Sequence, residues 1–187
     1  PALGHRVAAM AHKSNPFKKA GVCSPIIMGI GVVRALRMAS IRGNRTISNY
    51  IMLFIEMSGE IIHASFTRKK IIKTVNKHLL NAQKEIIQYF SGTRKSFTIK
   101  INPDGTVYQK KVWRKLLSIK YGQTKYYSDI ANLLKSSPRA VGNACGCNPC
   151  LIFIPCHLVI SKTVKNGGFS TFGGIVHKNM LLKKEKI

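Results

Sequence analysis

Two adjacent residues near the C-terminal end of the chain, Cys156 and His157, place a nucleophile beside a base. A thiol attacks well only after it loses its proton, and imidazole is the side chain best suited to take a proton near neutral pH. The run before them, Leu151-Ile152-Phe153-Ile154, is apolar enough for a buried strand, with Pro155 turning the chain so that Cys156 stands at the strand end. Burial raises the pKa of a thiol and makes it inert, so reactivity requires the base and a third group to hold that base. Glu185, one of only six acidic residues in the chain, is the candidate for that third group. Without such partners Cys156 reads as a small core hydrophobe.

Three further cysteines, Cys145, Cys147 and Cys150, precede it in the pattern C-x-C-x2-C-x5-C-H. Structural zinc sites use two separated ligand pairs, so this single run does not read as a metal site. With Cys23 the total is five, an odd and clustered set that fits a reducing, intracellular setting better than a secreted disulfide framework.

The elements that must position Cys156 can be read upstream. Tyr50 to Ile55 and Glu60 to Phe66 pattern as short strands, and Phe97 to Ile101 alternates like a third. Between them, Ile71 to Phe90 carries Ile72, Val75, Leu79, Leu80, Ile86, Ile87 and Phe90 at helical spacing, with Gly92 as a stop. Asn102-Pro103-Asp104-Gly105 is a turn. Thr106 and Gln109 then form a capping box that opens a helix to about Ile119, with Val107, Val112, Trp113, Leu116 and Leu117 as its apolar face. A lone Trp on such a face is most often core.

Tyr127 to Leu134 reads as a short helix and Lys135-Ser136-Ser137 as a turn. Ser137 is a good N-cap and Pro138 suits the first position of a second helix, running to about Cys145 with Gly146 as its stop. Two short helices and a tight turn make a helix-turn-helix pattern. On the second helix Arg139 stands among Ala140, Gly142, Asn143 and Ala144, all small. Small residues permit close approach to DNA, with one Arg entering the duplex; tight packing against a neighbouring helix is the structural alternative.

The formal net charge is +25, from 31 Lys and Arg against 6 Asp and Glu. So one-sided a balance points to a polyanion as partner, nucleic acid first and an anionic membrane surface second, although a bias toward Lys codons also yields much lysine. The most apolar stretch, Val22 to Val33, is too short to span a bilayer as a helix. Lys18 and Lys19 precede it as in a signal peptide, but no small-residue cleavage site follows. Residues 1–45 hold eight Lys and Arg and no acid, and Gly and Pro interrupt them. They read as a poorly ordered extension; the chain opens on Pro1, and Met38 and Met52 are plausible alternative starts.

Taken together, these motifs resemble the 6-O-alkylguanine-DNA alkyltransferases (methylated-DNA–protein-cysteine methyltransferases). Pro155-Cys156-His157 carries the resemblance, with Asn148-Pro149 upstream and Ser137-Pro138-Arg139-Ala140-Val141-Gly142 before that. Gly105-Thr106-x-Tyr108-Gln109-x3-Trp113 is similar to the opening of the family's DNA-binding part, and Tyr121-Gly122-Gln123-Thr124-x-Tyr126-Tyr127-x2-Ile130-Ala131 to the stretch that follows. Gly173-Gly174, Lys178 and Leu181-Leu182-x2-Glu185 are similar to its last helix. The likeness covers about residues 50–187 and is most specific from Gly105 onward.

The resemblance implies an α+β fold, a small strand-and-helix domain (46–102) followed by a mostly helical DNA-binding domain with a helix-turn-helix (103–187). It implies that Cys156 takes an alkyl group from the 6-oxygen of guanine in one irreversible step. His157 would withdraw the thiol proton through a water, Glu185 would orient His157, and Asn148 would brace the turn. Tyr127 and Val159 would meet the substrate base, and Arg139 would fill the gap left by a flipped-out nucleotide. Ser137, Ala140, Gly142 and Asn143 would face the DNA. The implied partner is double-stranded DNA containing alkylated guanine, bound by a monomer without cofactor or membrane, in the cytoplasm. The chain departs from the family at Leu158, where Arg is usual, in a longer loop from Ser161 to Phe172, at Gly146, and in lacking a clear opening strand pair. The expected Gly-Gly-Tyr-type element is either Gly167-Gly168-Phe169 or Thr171-Phe172-Gly173-Gly174. A damage-binding protein without transfer activity, or a degraded paralogue, is the rival reading.

Overall fold

The computed structural model describes residues 31–32, 36–37, 51–67, 77–162, 169–170 and 173–187. Strands β1 (Gly31–Val32) and β2 (Leu36–Arg37) both pair antiparallel with β3 (Ile51–Met57), and β4 (Glu60–Thr67) pairs along the other edge of β3. Residues 31–32 and 36–37, within the expected poorly ordered extension, are thus two short strands, each paired with β3. Two-residue strands have no period to read, and what makes them strands is the open edge of β3, a row of backbone donors and acceptors that takes any extended partner. The rest of residues 1–50, including Cys23, Met38 and most of Val22–Val33, lies outside the described residues.

Helix α1 (Lys77–Ser91) packs on this sheet. The part of the expected helix over residues 71–76 lies outside the described residues. The helix is present but its buried face differs from the expected one: Leu79, Ala82, Glu85, Ile86 and Tyr89 are inside, whereas Leu80 and Ile87 are exposed. Apolar residues fill two adjacent columns of this helix, and only the sheet selects between them.

Phe97 to Ile101 is not a regular strand; only Ile101 bridges, to Ile61. The buried carboxylate of Glu85 accepts instead from the backbone N–H groups of Thr98 (2.9 Å) and Ile99 (3.3 Å) and from the Thr98 hydroxyl, and pairs with Arg94. Those donors are withdrawn from any ladder.

Helix α2 (Val107–Leu116) opens with the Thr106/Gln109 capping box in place. Gly105 lies against the Trp113 ring, where a Cβ would come within 2.5 Å, so only glycine fits this entry. The buried face is Val112, Trp113 and Leu116; Val107 and Leu117 are exposed, and the helix stops before Ile119. Trp113 is core, as expected, and its indole N–H donates to the Ala144 carbonyl at 2.9 Å. After β5 (Lys125–Tyr126) come α3 (Tyr127–Leu133) and α4 (Pro138–Gly146), the helix-turn-helix. Ser137 caps α4 by accepting from the Ala140 N–H, with Pro138 in the first turn. Strand β6 (Val159–Ile160) runs parallel to β5, and α5 (Gly174–Lys184) closes the chain. One apolar cluster runs from Met52 and Phe54 in β3 to Leu181 and Leu182 in α5. No helix among the described residues is long and apolar enough to cross a membrane.

Candidate active site

Cys156 begins a 3-10 turn (Cys156–Leu158) and does not end a strand. The apolar run before it is a buried turn: Leu151 and Ile154 bridge each other, and Ile152 between them has φ of 73°. A β-branched residue in that region is strained by about 1–3 kcal/mol. Burial of Leu151 through Ile154 offsets that cost. Composition alone does not separate a buried strand from a buried turn.

The turn is held from two sides. From β4, Ala64 donates its N–H to the Pro149 carbonyl (2.8 Å) and accepts from the Leu151 N–H (2.9 Å). From within, the Asn148 side-chain oxygen accepts from the Cys150 N–H (2.9 Å), and its nitrogen donates to the Ile154 carbonyl (3.0 Å) and to Cys156 Sγ (3.1 Å).

Burial dominates the Cys156 thiol and pushes its pKa up to about 11, against opposing pulls from the Asn148 amide, the Lys178 ammonium and nearby backbone N–H groups. Cys150, buried without such donors, is pushed up to about 12, and Cys145 is raised by burial and by Cys156. Lys178 acts on Cys145 as well, but Cys156 combines its charge with hydrogen bonds that favour the thiolate.

His157, also buried, contacts Glu185 Oε1 through Nε2 at 2.9 Å. Its Nδ1 has no hydrogen-bond partner among the described residues. Glu185 caps the C-terminal end of α5 and is itself fastened by two other donors. Tyr89 Oη donates to Oε1 at 2.7 Å, and the Gly122 N–H donates to Oε2 at 2.8 Å. Gly122 presents that N–H from φ of 75°, a conformation natural to glycine. Burial acts to raise the Glu185 carboxyl, but the hydrogen bonds from His157, Tyr89 and Gly122, with the charge on His157, outweigh it and hold the carboxyl below its ordinary value.

On the other side of the thiol, Lys178 is fully buried, donates to the Val159 carbonyl at 2.6 Å and sits 5.6 Å from the Tyr127 ring centre. Burial lowers the lysine's pKa, opposed by Cys156 and Cys145. Burial, then the two thiols, pushes the Tyr127 phenol up to about 12, so that it keeps its proton. Parallel pairing of β5 with β6 (Lys125 with Val159, Tyr126 with Ile160) fixes Tyr127 beside the residues that follow Cys156. The assembly is a buried thiol next to a base whose far nitrogen is anchored, with a cation and a protonated phenol nearby. That is the equipment for a single nucleophilic substitution in a buried site.

The expected DNA-facing residues lie on α4. Val141, Ala144 and Cys145 form its buried face, while Ser137, Arg139 and Asn143 are exposed and Ala140 and Gly142 are half-buried. A Cβ on Gly142 would stand 3.9 Å from the Tyr127 ring, an ordinary contact, so internal packing does not require glycine there. Cys145, Cys147, Cys150 and Cys156 are free thiols, and no metal-binding cluster occurs among the described residues.

Residues 107–187 match the family model described as the DNA-binding domain of 6-O-methylguanine DNA methyltransferase. A probable methylated-DNA–protein-cysteine methyltransferase from Acanthamoeba polyphaga mimivirus is 37% identical over 138 residues, 72% of this chain and 88% of that protein. The chain belongs to the methylated-DNA–protein-cysteine methyltransferase family. The inducible member from Bacillus subtilis (strain 168) is 50% identical over 105 residues, 54% of this chain; the chain spans only 57% of that relative's length. The solved O6-methylguanine methyltransferase of Mycobacterium tuberculosis superposes with a TM-score of 0.65 at 28% identity, over 84% of this chain and 93% of that one. A crystal structure of the Mycobacterium tuberculosis protein in complex with DNA superposes at 0.63 and 30% identity, over 73% of this chain and 87% of that one.

Within this methyltransferase-family chain the structure brings Cys156, His157, Asn148, Glu185, Tyr127 and Val159 together, and it sets Arg139 apart on the outer face of α4. Leu158, where the family usually has Arg, is buried and lines a cavity of about 330 Å³ with Phe97, Phe153, Tyr121 and Glu185. Its apolar wall suits leucine. Of the loop from Ser161 to Phe172, residues 163–168 and 171–172 lie outside the described residues, and Gly167-Gly168 falls there, whereas Gly173 and Gly174 stand at the start of α5. Sequence reasoning gave Lys178 no role and missed Tyr89. The signal for Tyr89 was a tyrosine on the same helical face as Leu79, Ala82 and Ile86, since a buried phenol usually finds a partner.

Proposed function

We propose that this chain repairs alkylated DNA by moving one alkyl group from the 6-oxygen of guanine onto Cys156 Sγ, once per molecule. The observation that carries the reading is the contact chain from Asn148 to Cys156 Sγ (3.1 Å), with His157 Nε2 bound to Glu185 (2.9 Å), placed behind a helix-turn-helix in a member of this family. The thiol passes its proton to His157 Nδ1 through a water. The thiolate attacks the alkyl carbon, the S–C bond forms, and the C–O bond breaks with its electron pair going to the guanine oxygen. Tyr127, protonated at neutral pH, donates toward the departing base. Nδ1 suits the task because Glu185 already engages the other nitrogen and stabilises the imidazolium.

A thiol this deeply buried cannot meet a stacked base, so the nucleotide must flip out of the duplex, at a cost of about a few kcal/mol that is lowest for a damaged pair. Arg139 fills the vacated space from the minor groove, and Ser137, Ala140, Gly142 and Asn143 lie against the backbone. The +25 charge supplies sequence-independent attraction to phosphates. Val159 meets the flipped base beside the thiol. The reading needs no cofactor, treats residues 46–102 and 103–187 as the scaffold and the DNA-binding part, and places a monomer on DNA in the cytoplasm.

The test is intact-protein mass spectrometry after incubation with a 6-O-benzylguanine oligonucleotide. One benzyl group should appear at Cys156 and no second one, and Cys156→Ala should gain none. Tight binding of the oligonucleotide with no mass gain would replace this reading with that of a damage-binding protein.

A further inference from the structure

We propose that Tyr89, on α1, is a positioning residue for the acceptor: it holds the Glu185 carboxylate in the geometry and charge state that lets His157 take the Cys156 proton. The inference rests on the transfer reading above. Residues 107–187, which match the family's DNA-binding domain, contain Cys156, His157 and Glu185 but not Tyr89. A helix outside that domain therefore supplies a partner to Glu185, in a site whose Cys156, His157 and Glu185 lie more than sixty residues later.

Three observations converge. Tyr89 is 2% exposed and Glu185 5%, so the 2.7 Å bond between them is largely shielded from bulk solvent. The phenol donates to Oε1, the same oxygen that His157 Nε2 contacts. A carboxylate with one oxygen shared between a phenol and an imidazole, and the other held by the Gly122 N–H, has a single orientation. The Tyr89 ring is itself fixed by Phe90, Phe97 and Tyr121, the first and last edge-on. A positioned donor of this kind is worth more than a mobile one.

The phenol also acts on charge. Tyr89 is raised by burial first and by Glu185 second, so it is always the donor. The groups facing Glu185 are Tyr89 from α1, Tyr121 and the Gly122 N–H from the turn after α2, and His157 from the 3-10 turn; Lys95 lines the same cavity. Of the two tyrosines, Tyr89 is the one whose hydroxyl donates to the carboxylate, so removing one oxygen atom removes that bond; the Tyr121 hydroxyl donates to the Lys184 carbonyl. Loss of the Tyr89 hydroxyl removes a bond that lowers the Glu185 pKa, so the carboxyl should protonate at a higher pH and cease earlier to support an imidazolium.

The experiment compares the natural protein with Tyr89→Phe, which keeps the packed ring. Two rates are read from acid to mildly alkaline pH: single-turnover transfer from the benzylated oligonucleotide, and carbamidomethylation of Cys156 by iodoacetamide, scored by peptide mass. Tyr89→Phe should slow both by about ten-fold near neutral pH, the factor that one hydrogen bond to a charged group commands, and should move the acid limb of both profiles to higher pH. A uniform slowing with an unmoved acid limb, or no slowing, overturns the proposal. If the natural protein transfers nothing, the transfer reading falls, while the iodoacetamide profile still decides the part played by Tyr89. If Tyr89→Phe melts below the assay temperature, a difluorotyrosine placed at residue 89 is the substitute. It is a stronger donor and should move the acid limb to lower pH; an unmoved limb overturns the proposal.

Discussion

The side-chain nitrogen of Asn148 donates to Cys156 Sγ at 3.1 Å and, with its second hydrogen, to the Ile154 carbonyl at 3.0 Å. One amide thus braces the turn and favours the thiolate. Asn148→Ala should do two kinds of harm. It leaves the Cys150 N–H buried without its partner, at about 1–3 kcal/mol, which a denaturant melt would read as lost stability; the Ile154 carbonyl keeps its bond from the Cys156 N–H. It also withdraws a bond that lowers the Cys156 pKa, so the thiol should titrate higher still, seen as an alkaline shift of iodoacetamide labelling at Cys156. A stability loss with an unmoved labelling profile would reduce Asn148 to a brace.

Lys178 invites a separate variant. Its ammonium pulls the Cys156 pKa down from a distance, while its hydrogen bond goes to Val159. Lys178→Met keeps the length and apolar stem but loses the charge. Labelling of Cys156 should shift to higher pH, and transfer at neutral pH should slow by about ten-fold for each pKa unit gained. An unchanged profile would show that Lys178 serves only to tie α5 to β6.

On α4, internal packing leaves room for a methyl group at Gly142. Gly142→Ala should therefore leave the melting temperature unchanged or slightly raised, since alanine favours the helix by about 0.8–1.0 kcal/mol over glycine. Affinity for duplex DNA should fall, read by fluorescence anisotropy. Arg139→Ala should slow transfer from duplex substrate more than from a single strand, which has no stacked neighbour to replace. Equal slowing on both would argue against insertion of Arg139 into the duplex.

Glu185 ties the site to the pH dependence of stability. Its folded pKa lies below the ordinary value of 4.5, so its ionised form contributes stability that is present above that pH and is lost as the pH falls through the folded pKa. Glu185→Gln cannot ionise. Its stability deficit against the natural protein should be largest at neutral pH and shrink in acid, measured by urea melts at several pH values. A deficit independent of pH would mean that the residue acts through packing alone.

Much of this protein was legible in order of residues. The capping box at Thr106 and Gln109 and the Ser137 cap before Pro138 are local devices, decided by groups within a few residues of one another, and each stands where expected. Local pattern was not enough where two arrangements bury the same residues. Leu151 to Ile154 is apolar whether it runs as a strand or turns back on itself, and the grip of Ala64 on Pro149 and Leu151, with Asn148 beneath, selects the turn. The face of α1 was likewise open until the sheet turned Leu80 and Ile87 outward and Tyr89 inward. That rotation brings the Tyr89 phenol, 96 positions away in sequence, to the Glu185 carboxylate. Spacing along a chain encodes helices, caps and neighbouring nucleophile and base, because their forces act over a few residues. The third and fourth members of the site, Glu185 and Tyr89, meet only through packing of elements distant in sequence, and that depends on which apolar faces can be buried together.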